Sequence, residues 1–163
     1  MNVLNRIGLM AFALLVQSVA LADCNTAAHR AFDFWIGHWQ VKTSDGKVAG
    51  TNRIQREYGG CVLHERYTTD RGYTGESLNI YDSARKIWHQ TWVDSDGLLL
   101  VLEGGVHDGK MVLEGKTVGA DSKVTQHRIT WTSNRDGTVR QYWESTDDKG
   151  AWVVAFDGLY TRQ

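Results

Sequence analysis

Two short stretches place groups capable of chemistry at a fixed spacing: Trp88-His89-Gln90-Thr91-Trp92 and Gln141-Tyr142-Trp143. In both, a glutamine stands two residues before a tryptophan, so on an extended chain the amide and the indole share one face. An amide set among aromatic rings gives an apolar surface with one hydrogen-bonding end, the composition of a site for a small amphipathic molecule. A buried amide left unpaired costs about 1–3 kcal/mol, so each glutamine must bond either a neighbouring side chain or the polar head of a ligand. Both outcomes fit the spacing.

Groups for acid–base work are fewer. Glu65, Asp94 and Glu103 are the candidates, none has a partner that its spacing identifies, and Asp94 also suits the turn Asp94-Ser95-Asp96-Gly97. No G-x-S-x-G elbow, P-loop or dinucleotide fingerprint is present. The six histidines form no H-E-x-x-H motif and the two cysteines no C-x-x-C motif, so no metal site is expected. His64 and Glu65 are adjacent on a predicted strand and point to opposite faces, so they do not act together on one substrate. The chain is therefore expected not to be an enzyme, with a lumen isomerase or cyclase as the alternative.

The elements that must position these groups are strands. Runs rich in Val, Ile, Thr, Tyr and Trp alternate with turn signals at Ser44-Asp45-Gly46, Asp94-Ser95-Asp96-Gly97, His107-Asp108-Gly109, Asn134-Arg135-Asp136-Gly137 and Asp147-Asp148-Lys149-Gly150. They predict ten strands near 38–44, 49–58, 61–69, 74–82, 86–94, 97–104, 109–117, 124–134, 138–146 and 151–161. The chain contains no proline, which suits strands paired on both sides. The expected fold is all-β, a ten-stranded antiparallel up-and-down barrel, because closure removes free edges. A short helical turn over residues 25–36, capped by Asn25 or Thr26, closes one end.

Alternation assigns faces. Met111 and Leu113 oppose charged Lys110, Glu114 and Lys116; Ile129 and Trp131 oppose Arg128; Val139, Gln141 and Trp143 oppose Arg140 and Glu144. The predicted lumen set is Trp88, Gln90, Trp92, Met111, Trp131, Gln141, Trp143 and Trp152, with Val154 and Phe156 continuing the last strand and Glu65 and Tyr67 joining if Leu63 faces inward. This set is the candidate ligand-binding surface.

Ahead of the barrel, Arg6, the apolar residues 7–16 and the Ala20-Leu21-Ala22 site read as a signal peptide over residues 1–22, cleaved after Ala22. The apolar run is shorter than the ~20 residues of a membrane span. Asp23 before Cys24 does not suit a lipidation site. A single domain over residues 23–163 is left, directed to the periplasm or secreted, with Cys24 and Cys61 able to form a disulfide there. The formal net charge is −1, and no block of one sign points to nucleic acid.

Gly37-His38-Trp39 at the start of the first strand resembles the G-x-W of lipocalins and other calycins. The resemblance implies that Trp39 closes the base of the barrel against an arginine of the last strand, here Arg162. Phe32, Phe34 and Trp35 would pack the N-terminal turn across that opening, with any ligand at the other end. Over nearly the whole domain, F-D-F-W-I-G-H-W, G-G-C-V-L-H-E-R-Y, S-L-N-I-Y-D, W-H-Q-T-W-V-D, M-V-L-E-G, R-I-T-W-T and F-D-G-L-Y are similar to a bacterial family of small exported lipocalin-like proteins. That likeness implies a calycin-like barrel and brings no ligand or catalytic residues. A more distant likeness, in strand number and length, is to nitrobindin-like barrels, which bind haem through a histidine near the C-terminal end of the barrel. This chain has no histidine after His127; His127, His89, His64 and His38 are the remaining candidates for haem. The expectation is a barrel binding a small hydrophobic or amphipathic molecule without a cofactor, the alternatives being a filled structural barrel, a haem protein or a lumen enzyme.

Overall fold

A computed structural model describes residues 24–163. The signal-peptide assignment falls on residues 1–22 and lies outside the described residues.

Ten antiparallel strands form one closed barrel: β1 (Gly37–Thr43), β2 (Val48–Glu57), β3 (Val62–Thr68), β4 (Thr74–Asp82), β5 (Ile87–Asp94), β6 (Leu99–His107), β7 (Lys110–Val118), β8 (Val124–Ser133), β9 (Val139–Thr146) and β10 (Trp152–Arg162). Each strand pairs with its sequence neighbours, and β1 pairs with β10 to complete the ring. This is the expected up-and-down order. Turn chemistry explains much of it. In Ser44-Asp45-Gly46, Asn134-Arg135-Asp136-Gly137 and Asp147-Asp148-Lys149-Gly150 a positive-φ glycine ends the turn, and the aspartate side chain accepts backbone N–H groups beyond it.

The up-and-down order gives the barrel two unlike ends. At one end β1 begins, and the N-terminal segment is folded into the opening. Here α1 (Ala27–Arg30) is followed by a 3₁₀ turn over Asp33–Trp35. Thr26 does not cap α1 through its side chain; its hydroxyl is 2.7 Å from His29 Nδ1 instead, and His29 Nε2 meets Ser83 Oγ at 3.1 Å. The imidazole thus pins α1 to the β4–β5 turn. The disulfide between Cys24 and Cys61 ties the same segment to the start of β3. Closing a loop of 37 residues contributes about 3–4 kcal/mol by chain entropy.

Phe32 and Trp35, both fully buried, drive the segment into the barrel. Their rings stack at 4.9 Å, and both contact Trp131, at 5.2 and 5.4 Å. Phe32 also meets Trp88 edge-on at 5.7 Å, and the Trp88 indole N–H donates to Ala28 O. Trp39 donates to Trp35 O at 2.9 Å, with the Arg162 guanidinium 4.5 Å from its ring centroid. Trp39 and Arg162 are register partners across the closing pair β1–β10. Gly37 leaves room for this stack, since a Cβ there would lie 2.8 Å from an Arg162 guanidinium nitrogen. The charged side of the plug is held by Asp33, which pairs with Arg56.

One expected face is reversed. The pairing of β10 with β9 shifts between Val154 and Phe156, so Ala155 is an extra residue. A bulge of this kind inverts the alternation on one side of it. Phe156 and Tyr160 face inward, but Trp152 and Val154 lie outside, 40% and 54% exposed. Trp152 is not part of the lumen; Arg128 stacks on its outer-face ring at 4.5 Å.

Candidate functional site

Beyond the plugged half, the lumen opens into a cavity of about 250 Å³ at the opposite end of the barrel. Its wall is aromatic, with Tyr67, Tyr73, Trp92, Trp143, Phe156 and Tyr160, completed by Leu100, Ile129, Thr69 and Ala155. Glu65, Gln90 and Gln141 supply its polar groups. The size fits a ligand of one ring and a short arm, since an apolar cavity of roughly 150 Å³ takes a benzene.

The polar groups belong to a hydrogen-bonded belt. Tyr160 OH donates to Gln141 Oε1, and Asn52 Nδ2 approaches Tyr160 Oη at 3.4 Å and donates to Glu65 Oε1 at 2.7 Å. Ser77 Oγ donates to Glu65 Oε2 at 2.5 Å, Asn79 Nδ2 donates to Ser77 Oγ at 2.8 Å, and Gln90 Nε2 donates to Asn79 Oδ1 at 2.7 Å. Each link is set by register. Glu65 pairs with Ser77 across β3–β4, and Asn79 with Gln90 across β4–β5. Both glutamines therefore find protein partners, yet Gln90 Oε1 and Gln141 Nε2 make no protein hydrogen bond among the described residues.

Glu65 is only 4% exposed. Burial raises its carboxyl to about 7, against the opposing pull of the Ser77 and Asn52 hydrogen bonds and of nearby His64. Burial, followed by the Glu65 charge, pushes the Tyr160 hydroxyl well above its usual value, and the same two causes raise Tyr67. His64 itself points outward, between Glu57 Oε2 at 3.0 Å and Glu76 Oε2 at 2.8 Å. The partner that Glu65 lacked in the sequence is thus a set of neutral donors.

Asp94 holds the mouth. One carboxylate oxygen accepts the Asp96 and Leu98 amides of the turn, at 3.0 and 3.1 Å. The other accepts Tyr73 OH at 2.9 Å and Trp92 Nε1 at 3.0 Å, fixing two walls of the cavity. Burial alone would raise its carboxyl; those four hydrogen bonds outweigh it and keep the group below its ordinary value. Gly75 makes the Trp92 position possible, because a Cβ there would lie 2.2 Å from the indole ring. Trp143 is oriented from behind: its N–H donates to His127 Nδ1 at 3.2 Å, and His127 Nε2 meets Thr117 Oγ1 at 2.9 Å. Both nitrogens of His127 are engaged, and burial lowers its pKa.

The predicted site residues therefore divide. Gln90, Trp92, Gln141 and Trp143 line the cavity, joined by Glu65, Tyr67 and Phe156. Trp88, Met111 and Trp131 face inward but sit at the plugged end, where all three are buried core. Trp152 is outside. Leu63 is fully buried, so Glu65 and Tyr67 do face the lumen. Glu103 is on the outer face, paired with Arg85 and His89. The sequence pattern does not single out Tyr73, Tyr160 or the positioning role of Asp94, which the structure adds to the cavity. Tyr160 was within reach of pattern reasoning, since it alternates with Phe156 past the bulge.

A larger open groove, about 650 Å³, runs along β2–β5, with His38 and Gln163 beside it and the inward-facing Asn52 and Tyr67 in its lining. Of its charged residues, Arg66, Glu76 and Asp94 are engaged by Glu57, by His64 and by Tyr73 and Trp92, while Arg53 stands exposed; the internal cavity, with its fixed aromatic walls, is the better candidate. Among the described residues no group of three or more His, Cys, Asp and Glu is placed to hold a metal, and no helix is long and apolar enough to cross a membrane.

Ten antiparallel strands in sequence order around an internal cavity form a closed up-and-down barrel, an architecture consistent with a calycin-like fold. No family model matches the chain, and no curated protein matches it.

Proposed function

We propose that this chain is an exported binding protein that holds one small hydrophobic or amphipathic molecule at the open end of the barrel. The observation that carries the reading is the cavity itself: its aromatic walls are fixed by Asp94, Gly75 and His127 around space that Gln90 Oε1 and Gln141 Nε2 face without protein partners. Side chains fixed around a space, instead of collapsing into it, are what a preorganised ligand site requires. The plugged half is packed like a protein interior and serves as scaffold. Export is supported by the signal-peptide pattern of residues 1–22 and by the disulfide.

The haem alternative has little to draw on, because among the described residues no histidine lines the cavity. A lumen enzyme draws on Glu65, a carboxyl near 7 beside Tyr67 and Tyr160, and it would be established by turnover of a bound ligand that Glu65→Gln abolishes while binding persists.

The test is intrinsic fluorescence titration with phenol and 4-methylphenol, with retinol as an oversized control. Trp92 and Trp143 line the cavity, so the single-ring compounds should shift or quench the emission and retinol should not. Ala155→Trp, which adds bulk to the lining, should abolish the response. No response to either phenol, or an undiminished one in Ala155→Trp, would defeat the proposal.

A further inference from the structure

We infer that the cavity selects a small organic amine in its ammonium form, an aromatic or short apolar body with one cationic head, and that Glu65 is its counter-ion. This rests on the cavity being the ligand site and adds the charge class of the ligand.

Among the described residues the lining contains one carboxyl group and no lysine, arginine or histidine. Glu65 forms no ion pair with any described residue; its two oxygens accept from Asn52 and Ser77, both neutral. A carboxylate has about four acceptor positions, so roughly two are left for a ligand. A buried charge with neutral donors alone remains short of compensation, and a cation entering beside it supplies the missing part. Gln90 Oε1 and Tyr67 Oη are further acceptors on the same lining without a protein donor among the described residues. Three acceptors match the three N–H groups of a primary ammonium.

The walls carry the same preference. Trp92, Tyr73, Trp143 and Phe156 line the cavity with aromatic rings, whose π systems attract a desolvated cation. Asp94, bonded to the polar hydrogens of Trp92 and Tyr73, adds a second negative charge behind those rings. An anionic ligand would meet Glu65 as a like charge with nothing to offset it, which acts against that class.

Among the groups that face Glu65, those from β2, β4, β5 and β9 are Asn52, Ser77, Gln90 and Gln141, none of which titrates. Tyr67 on β3 and Tyr160 on β10 are raised and stay neutral. His64 points away, and its charge weakly favours the carboxylate. Glu65 is thus the group whose titration governs binding, and with a carboxyl near 7 the amine must displace a proton in mildly acidic solution.

The experiment is calorimetric titration of the full domain with 2-phenylethylamine, 2-phenylethanol and 3-phenylpropanoate, which share one ring and differ in head charge. At about pH 8 the amine should bind at least about ten-fold more tightly than either isostere, and its affinity should fall by up to about ten-fold per pH unit below 7. Glu65→Gln should lose the preference, the amine then binding no more tightly than the alcohol. An alcohol or carboxylate that binds wild type as tightly as the amine overturns the charge assignment and leaves the ligand site standing. Absence of heat and of indole fluorescence change with all three overturns both.

Discussion

Glu65→Gln should make the protein more stable at pH 8 and less stable, by about 1 kcal/mol, near pH 4.5. In the native state the carboxyl sits near 7, whereas the unfolded chain has its ordinary value of 4.5. Between those values the native state keeps a proton that the unfolded state has lost, so stability is full below 4.5 and declines as pH rises through 7. At roughly 1.36 kcal/mol per pH unit, ionising the buried group costs about 3 kcal/mol by pH 8. Glutamine removes that cost but keeps one acceptor oxygen for Asn52 or Ser77 in place of two, which returns about 1 kcal/mol. The expected net gain is about 2 kcal/mol at pH 8. Glu57 does not confuse the reading: Arg66, then His64, hold its carboxyl near 2, so its contribution is present above 4.5 and lost only as pH falls toward 2. Urea denaturation at several pH values from 4.5 to 8, followed by tryptophan emission, measures the midpoint with the slope as a control. A wild type equally stable at both extremes, with a variant weakened at pH 8, would refute the account of Glu65 as an uncompensated buried acid.

Three other substitutions separate scaffold from site. Trp35→Ala removes a fully buried ring that contacts Phe32, Trp131 and Tyr160, and should cost about 3–5 kcal/mol in a denaturant titration. Gly75→Ala forces the Trp92 ring aside and should weaken binding of a single-ring probe at least about ten-fold, at a stability cost of about 1–3 kcal/mol. Trp152→Ala, on the outer face, should change stability by less than about 1 kcal/mol and leave probe binding intact in the same assays.

The barrel was legible because two independent signals agreed. Asp-Gly turns divided the chain, and the runs between them alternated with a period of two, so every strand lies within a few residues of its expected place. Face assignment succeeded where one side of a strand was charged, as with Met111 and Leu113 against Lys110 and Glu114. It fails in principle on β4. There Ser77 and Asn79 face the lumen to build the polar belt, while Leu78 and Ile80 are 44% and 39% exposed outside, the reverse of the usual pattern. Ala155 defeats the last strand because nothing in Val153-Val154-Ala155-Phe156 marks a bulge. Depth within the lumen depends on strand direction: Trp88 begins β5 and Trp131 falls late in β8, both at the plugged end, whereas Trp92 ends β5 at the mouth. Asp94 could be read as a turn residue, but its hold on Tyr73 and Trp92 is a tertiary contact that no local pattern encodes.

The most direct test of the binding site uses the indole N–H signals of the seven tryptophans in a proton–nitrogen correlation spectrum, titrated with 2-phenylethylamine and 4-methylphenol. The open-end cavity predicts that the Trp92 and Trp143 signals move while those of Trp35, Trp39 and Trp131 stay in place. Movement of the plug-end signals with Trp92 and Trp143 unchanged would contradict it.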